Sequence, residues 1–237
     1  MLPTLALALL LPAAPVPKDL TDAGRIEAKF GKVVDPKADS KFILADDRLI
    51  VLLPANQTRD LCSKAETAPR LVREIDGDFV LTLRVDAELA DKAVPVAGSD
   101  TAFLGGGVRL AGKDGKQWVR YGYAHTRKKD GEQFMWMPWE LLPGAEAAEH
   151  GVAKGDRLTG AQVGDRLEIR LTRRGTQLTT EGRGRVSHGG WFTGRTDWEC
   201  VPDGPLTVSL FAHHSSDKGG MVVFSNYALT PLKEAKK

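Results

Sequence analysis

The chain has 237 residues, with 33 Lys or Arg against 31 Asp or Glu, a net charge of +2 and two cysteines. A balance this even argues against nucleic acid as a partner, because a nucleic-acid footprint shows as a clustered basic stripe. Cys62 and Cys200 lie far apart with no Cys-x-x-Cys pair, which argues against a zinc knuckle or a dithiol redox motif.

Leu2 to Pro17 carries no charged side chain, Leu5 to Leu11 is unbroken apolar, and Pro12-Ala13-Ala14-Pro15 precedes the first polar residues, Lys18-Asp19. An apolar run this short cannot cross a bilayer, which needs about 20 residues. Residues 1–17 therefore read as a secretory signal peptide, leaving 18–237 as one domain that is secreted, periplasmic or on the cell surface. The amino-terminal region lacks Lys and Arg, so an apolar leader or a misassigned start is the competing reading. No later segment is apolar for long enough to span a membrane.

Ala23 to Pro69 is the least patterned stretch. Phe42-Ile43-Leu44 and Leu49 to Leu53 are predicted strands split by Asp46-Asp47, and Pro54 to Asp60 is a predicted loop. Asn56-Gln57-Thr58 matches the glycosylation acceptor triplet, which carries meaning only in a host that glycosylates exported chains.

From Asp76 onward, period-two alternation between turn residues dominates. Phe79 to Val85 is a predicted strand, and Gly107 to Leu110 and Gln117 to His125 form a predicted hairpin about Gly112-Lys113-Asp114-Gly115. Arg127-Lys128-Lys129-Asp130-Gly131 reads as a solvated hairpin tip. Further strands are predicted over Arg166 to Leu171, Thr176 to Thr180, Leu206 to Ala212 and Met221 to Leu229. Helical periodicity is limited to a turn or two at Asp86 to Ala93 and at Ala145 to His150. Many short strands without a βαβ rhythm predict an all-β fold, an antiparallel β-sandwich with at most short helical turns. In an exported protein the two cysteines invite a Cys62–Cys200 disulfide, and two small buried thiols are the alternative.

From about 76 to 230, the order of these signals resembles the DUF1349 domains of the concanavalin A-like lectin/glucanase superfamily. Gly77 to Val85 is similar to that family's opening core strand, and Gly105 to Leu110 with Gln117 to Gly122 to its central hairpin. Leu167 to Gly175 resembles its strand and Arg-x-Gly turn. Gly184 to Trp191 keeps only the Gly and Trp of a Ser-x-Asp-Gly-x-x-Trp segment. Leu206 to Ala212 and Met221 to Tyr227 resemble its closing strand pair. The resemblance implies a jelly roll with plausible carbohydrate binding and no established chemistry. A structural calcium ion is possible in such folds, with no ligands assignable here, and no other cofactor is expected.

Chemistry-bearing patterns are sparse. Glycoside hydrolysis needs two carboxylates facing one sugar, and Asp76 with Asp78 or Asp197 with Glu199 sit in turn-like sequence. The histidines His125, His150, His188, His213 and His214 lack metal-ligand spacing, and adjacent strand residues such as His213 and His214 point to opposite faces. No Ser lies in a Gly-x-Ser-x-Gly elbow. Gly105-Gly106-Gly107 reads as a strand without side chains beneath a bulky neighbour.

Aromatic residues concentrate in the middle strands, with Phe134-Met135-Trp136-Met137-Pro138-Trp139 the densest run. Sugars pack C–H faces on aromatic rings, and Arg and His satisfy their hydroxyls. Arg109, Tyr121, Tyr123, His125 and Trp136 are therefore the candidate ligand-binding residues, with a glycan or cell-envelope component as expected partner. The chain is read as a non-catalytic binding module. A structural or protein-interaction domain is the alternative, and a hydrolase with an unrecognised carboxylate pair is the third reading.

Overall fold

A computed structural model of the chain describes residues 22–61, 66–113, 115, 118–131, 133–142, 152–159, 166–185, 191–198 and 203–232, with the backbone path alone for 133–142, 152–159, 185 and 191–198. Residues 1–17, Cys62 and Cys200, and Ala145 to His150 lie outside the described residues.

One helix precedes the strands, α1 (Asp22–Phe30). Its Ile26 and Phe30, four apart, share the face that packs on the core, and Phe30 meets Tyr227 at 5.3 Å between ring centroids. Gly31 ends it at φ +108, donating to the Glu27 carbonyl at 3.0 Å, and a Cβ there would strike the Val72 carbonyl.

The strands are β1 (Lys32–Val34), β2 (Lys41–Ala45), β3 (Arg48–Leu53), β4 (Gln57–Arg59), β5 (Arg70–Ile75), β6 (Phe79–Ala87), β7 (Thr101–Gly112) and β8 (Trp118–Lys128). They continue as β9 (Gln133–Leu142), β10 (Val152–Thr159), β11 (Arg166–Arg174), β12 (Gln177–Arg185), β13 (Trp191–Trp198), β14 (Leu206–Ser216) and β15 (Gly220–Pro231). The larger sheet runs β1-β5-β14-β7-β8-β9-β10, with β4 also paired to β14. The smaller runs β13-β12-β11-β6-β15-β3-β2. Every described pairing is antiparallel.

Alternation sets the core. Phe79, Leu81, Leu83 and Val85 of β6 and Leu167, Ile169 and Leu171 of β11 point from the smaller sheet towards the larger. Leu104, Val108 and Leu110 of β7 and Leu206, Val208 and Leu210 of β14 meet them. Each such side chain contributes about 1.5–3 kcal/mol by leaving water. Gly106 also faces inward, and a Cβ there would stand 3.1 Å from Val222 and 3.2 Å from the Phe224 ring. Its missing side chain lets those bulky neighbours of the smaller sheet approach β7.

The strand expectations hold in place and fall short in length, since β7, β8 and β14 run past the alternating cores read in the sequence. Of the two helical expectations, the one at Asp86 to Ala93 falls on described residues. The chain from Asp86 completes β6 to Ala87 and then makes only a turn, with Ala93 N donating to Ala90 O at 3.1 Å. The one described helix instead lies in the segment that showed no clear period.

Candidate functional site

Hairpin register decides which side chains share a face. In the β7–β8 ladder Val108 stands opposite Tyr121 and Arg109 opposite Arg120. Val108 is a core residue, so Tyr121, Tyr123 and His125 point between the sheets, while Arg109 and Arg120 point outward. The five residues singled out in the sequence therefore do not share one face. Trp136 stands opposite Ala124 and Arg157, a register position on the outer face, and its side chain lies outside the described residues.

The two tyrosines are interior spacers between the sheets, 4% and 0% exposed. Gly182 of β12 makes room for the first, because a Cβ there would overlap the Tyr121 hydroxyl. The Tyr123 hydroxyl donates to the Ala87 carbonyl at 3.0 Å, and His125 Nδ1 accepts from Leu89 N at 3.3 Å. Tyr123→Phe leaves that buried carbonyl without its donor. It is expected to cost about 1–2 kcal/mol in urea unfolding while leaving ligand binding unchanged.

The outer face of the larger sheet is different in kind. Arg109 of β7, Trp118 and Arg120 of β8, Ser209, Phe211 and His213 of β14 and Arg70 of β5 all lie on it. After β4, residues 60, 61 and 66–69 lie against part of this face. The segment is tied together where Thr67 N and Ala68 N donate to Asp60 O at 2.9 and 3.1 Å. Leu61 and Ala68 cover Phe211 in a small apolar cluster.

Charge is concentrated under and beside that segment. Glu66 accepts from Arg109 Nη1 at 2.6 Å and lies 3.2 Å from Arg70 Nη2, so one carboxylate bridges two guanidiniums. Burial is the largest influence on Arg109 and pulls its pKa below an ordinary guanidinium's; Glu66 pushes back, and Arg70 and Arg120 add like-charge repulsion. The Arg109 guanidinium also lies 5.3 Å from the centre of the Trp118 ring. Deeper in, Asp60 Oδ1 is 3.8 Å from Arg120 Nη1 and 3.9 Å from His213 Nδ1. The His213 Nε2 nitrogen is hydrogen-bonded to the Tyr123 carbonyl at 3.1 Å.

His213 and His214 do point to opposite faces, with His213 in this cluster and His214 towards the interior beside Leu104 and Arg59. Among the described residues no group of three His, Cys, Asp or Glu side chains is placed to hold a metal ion. Asp76 and Asp78 are turn residues, accepting from Gly77 N at 2.8 Å and Gly175 N at 2.7 Å. Asp197 lies on β13 opposite Thr179, its side chain outside the described residues, as is Glu199.

The outer face of the smaller sheet is also charged, but its charges satisfy one another. Arg84 and Arg166 pair with Asp86 at 2.7 and 3.2 Å, and Arg170 approaches Glu181 at 3.8 Å. Surface pairs of this kind contribute about 0–1 kcal/mol each and describe a solvated face.

Trp118, Arg120, Arg70 and Glu66 were not among the residues singled out in the sequence. Trp118 and Arg120 carried a signal, since they alternate with Tyr121 along the same strand. Glu66 and Arg70 carried none, because Glu66 comes from chain without a period.

No family model matches the chain, and no curated protein matches it. Solved structures do. A functionally unknown protein from Saccharomyces cerevisiae superposes with a TM-score of 0.51 at 14% identity, over 85% of this chain and 97% of its own. A legume lectin-like domain from Entamoeba histolytica gives a TM-score of 0.51 at 11% identity, over 93% of this chain and 100% of its own. The fold is a lectin-like jelly-roll sandwich. The alginate lyase vAL-1 from Chlorella virus is more distant, with a TM-score of 0.45 at 14% identity over 89% of this chain and 96% of its own. At such identities the likeness concerns fold alone.

Proposed function

We propose that the chain is an exported, non-catalytic carbohydrate-binding module whose ligand lies on the outer face of the larger sheet. The observation that carries this reading is the Trp118 indole beside the Arg109 guanidinium on that face, both partly exposed. An aromatic plane takes the C–H face of a sugar ring, and a guanidinium fork donates to its oxygens. A ligand longer than one ring would run on towards the outer-face register position of Trp136. The lectin-like fold supports a carbohydrate ligand. The order of motifs from Asp76 onward supports a place among the DUF1349 domains, and the apolar leader supports a signal at 1–17 ahead of one domain at 18–237.

Trp118→Ala and Arg109→Gln are each expected to weaken carbohydrate binding at least tenfold, a loss of about 1.4 kcal/mol, in protein that still unfolds cooperatively on heating. Affinities unchanged in both folded variants would place the ligand elsewhere.

A protein-interaction role has one observation in its favour. Ile43, Ile50 and Val223 form one cross-strand row at the β2 edge of the smaller sheet, next to the row of Leu52 and Met221, with Ile43 42% and Met221 51% exposed. If this face serves that role, Ile43→Lys abolishes self-association in a sedimentation experiment, while a monomer at all concentrations speaks against a homotypic contact.

A further inference from the structure

We infer that the carbohydrate held on this face is acidic, with its carboxylate or sulfate seated against the Arg70–Arg109 pair beside Trp118. The inference rests on the carbohydrate-binding reading above and narrows it to a ligand class.

The charge count carries the argument. Arg70 and Arg109 share the single carboxylate of Glu66, so this triad holds one positive charge in excess. Both arginines are largely buried, with side-chain exposures of 17% and 12%. Water therefore does little to compensate that excess, and a second anion is favoured there. Among the described side chains Glu66 is the one carboxylate that reaches either arginine. Asp60 is directed to Arg120 and His213. On the next strand Glu140 stands opposite Arg120, which separates it from Arg109, and Arg157 lies further along, opposite Trp136.

The donors are also in place. A guanidinium has five N–H groups in a fixed fork, and Glu66 engages one nitrogen of each arginine while the Ala68 carbonyl takes another of Arg70 at 3.4 Å. The remaining donors can grip a ligand carboxylate or sulfate without displacing Glu66. A neutral sugar would cover the same guanidiniums and bring no charge to meet them. Glu66 thus tunes the site, because its own charge opposes an incoming anion.

The test titrates the full chain with galacturonate oligomers as carboxylate probe, sulfated dextran as sulfate probe, and unmodified dextran and mannan as neutral controls. Acidic probes are expected to bind at least tenfold more tightly than neutral ones, and more weakly as salt rises. Arg109→Gln should remove that preference, Arg109→Lys should restore part of it, and Glu66→Gln should raise affinity for acidic probes several-fold. Carboxylate and sulfate arms that both bind leave the class acidic, and a difference between them identifies the group. If neutral and acidic polymers bind alike, or Glu66→Gln weakens acidic binding, the acidic ligand is wrong while carbohydrate binding stands. Single-stranded DNA bound as tightly as the oligouronate would also overturn it, by showing a general polyanion surface. If no carbohydrate of either charge binds, both readings fail together.

Discussion

Replacing Arg173 with Met is expected to lower the free energy of unfolding by about 3–5 kcal/mol, the largest single effect foreseen in the sheets. Arg173 occupies a core-face position at the end of β11, following Leu167, Ile169 and Leu171 in alternation, and is 2% exposed. Its guanidinium donates to Gly175 O at 2.9 Å, Gly77 O at 3.2 Å and Gly204 O at 2.8 Å. Those carbonyls belong to three separate turns at one end of the sandwich. Methionine fills similar space and offers none of these donors, so three acceptors lose a charged partner at once. The exposed neighbour is the control: Arg174→Met should stay within about 0.5 kcal/mol of the parent. Equal urea midpoints for the two variants would show that Arg173 does not join the turns.

Acid is expected to weaken the fold through His214. Its side chain is fully buried, and neither ring nitrogen has a hydrogen-bond partner among the described residues. Burial, then the charges of Arg59 and His213, pull its pKa from 6.5 down to about 4, against a smaller opposing pull from Asp39. Above pH 6.5 the imidazole is neutral whether folded or unfolded, so folding and protonation are uncoupled there. As the pH falls below 6.5 the unfolded chain takes up a proton that the folded chain refuses until about pH 4. Stability present above 6.5 is therefore lost across that window, by about 2–3 kcal/mol between pH 7 and 4.5. Urea unfolding of the parent and of His214→Leu at both pH values isolates this residue from the carboxylates that titrate nearby. The variant should lose less stability on acidification by that amount, and parallel losses would clear His214 of the effect.

Much of the sandwich was legible in the sequence because each half-buried strand wears its environment as alternation. Phe79 to Val85 and Leu206 to Ala212 read as strands since every second side chain must be apolar. Helix α1 was missed for the complementary reason: nine residues with two core contacts give too little period to detect.

The site was half legible. Aromatic and Arg content pointed to the β7–β8 hairpin, but register decides which residues share its faces, and register is set by pairing that composition does not reveal. Tyr121 and Tyr123 went to the interior with Val108, and Trp118 and Arg120 went outside with Arg109. Glu66 and Asp60 reach the face from an irregular segment, where residue type alone says nothing about location. Arg173 was visible only as part of an Arg-x-Gly turn, and its role appears once the turns it ties are seen side by side.

A glycan-array screen of the folded protein beside its Trp118→Ala variant tests the carbohydrate-binding claim most directly. The account predicts reproducible binding by the parent, concentrated on acidic glycans and lost in the variant. A blank array from folded parent protein, or hits that survive the loss of Trp118, would contradict it.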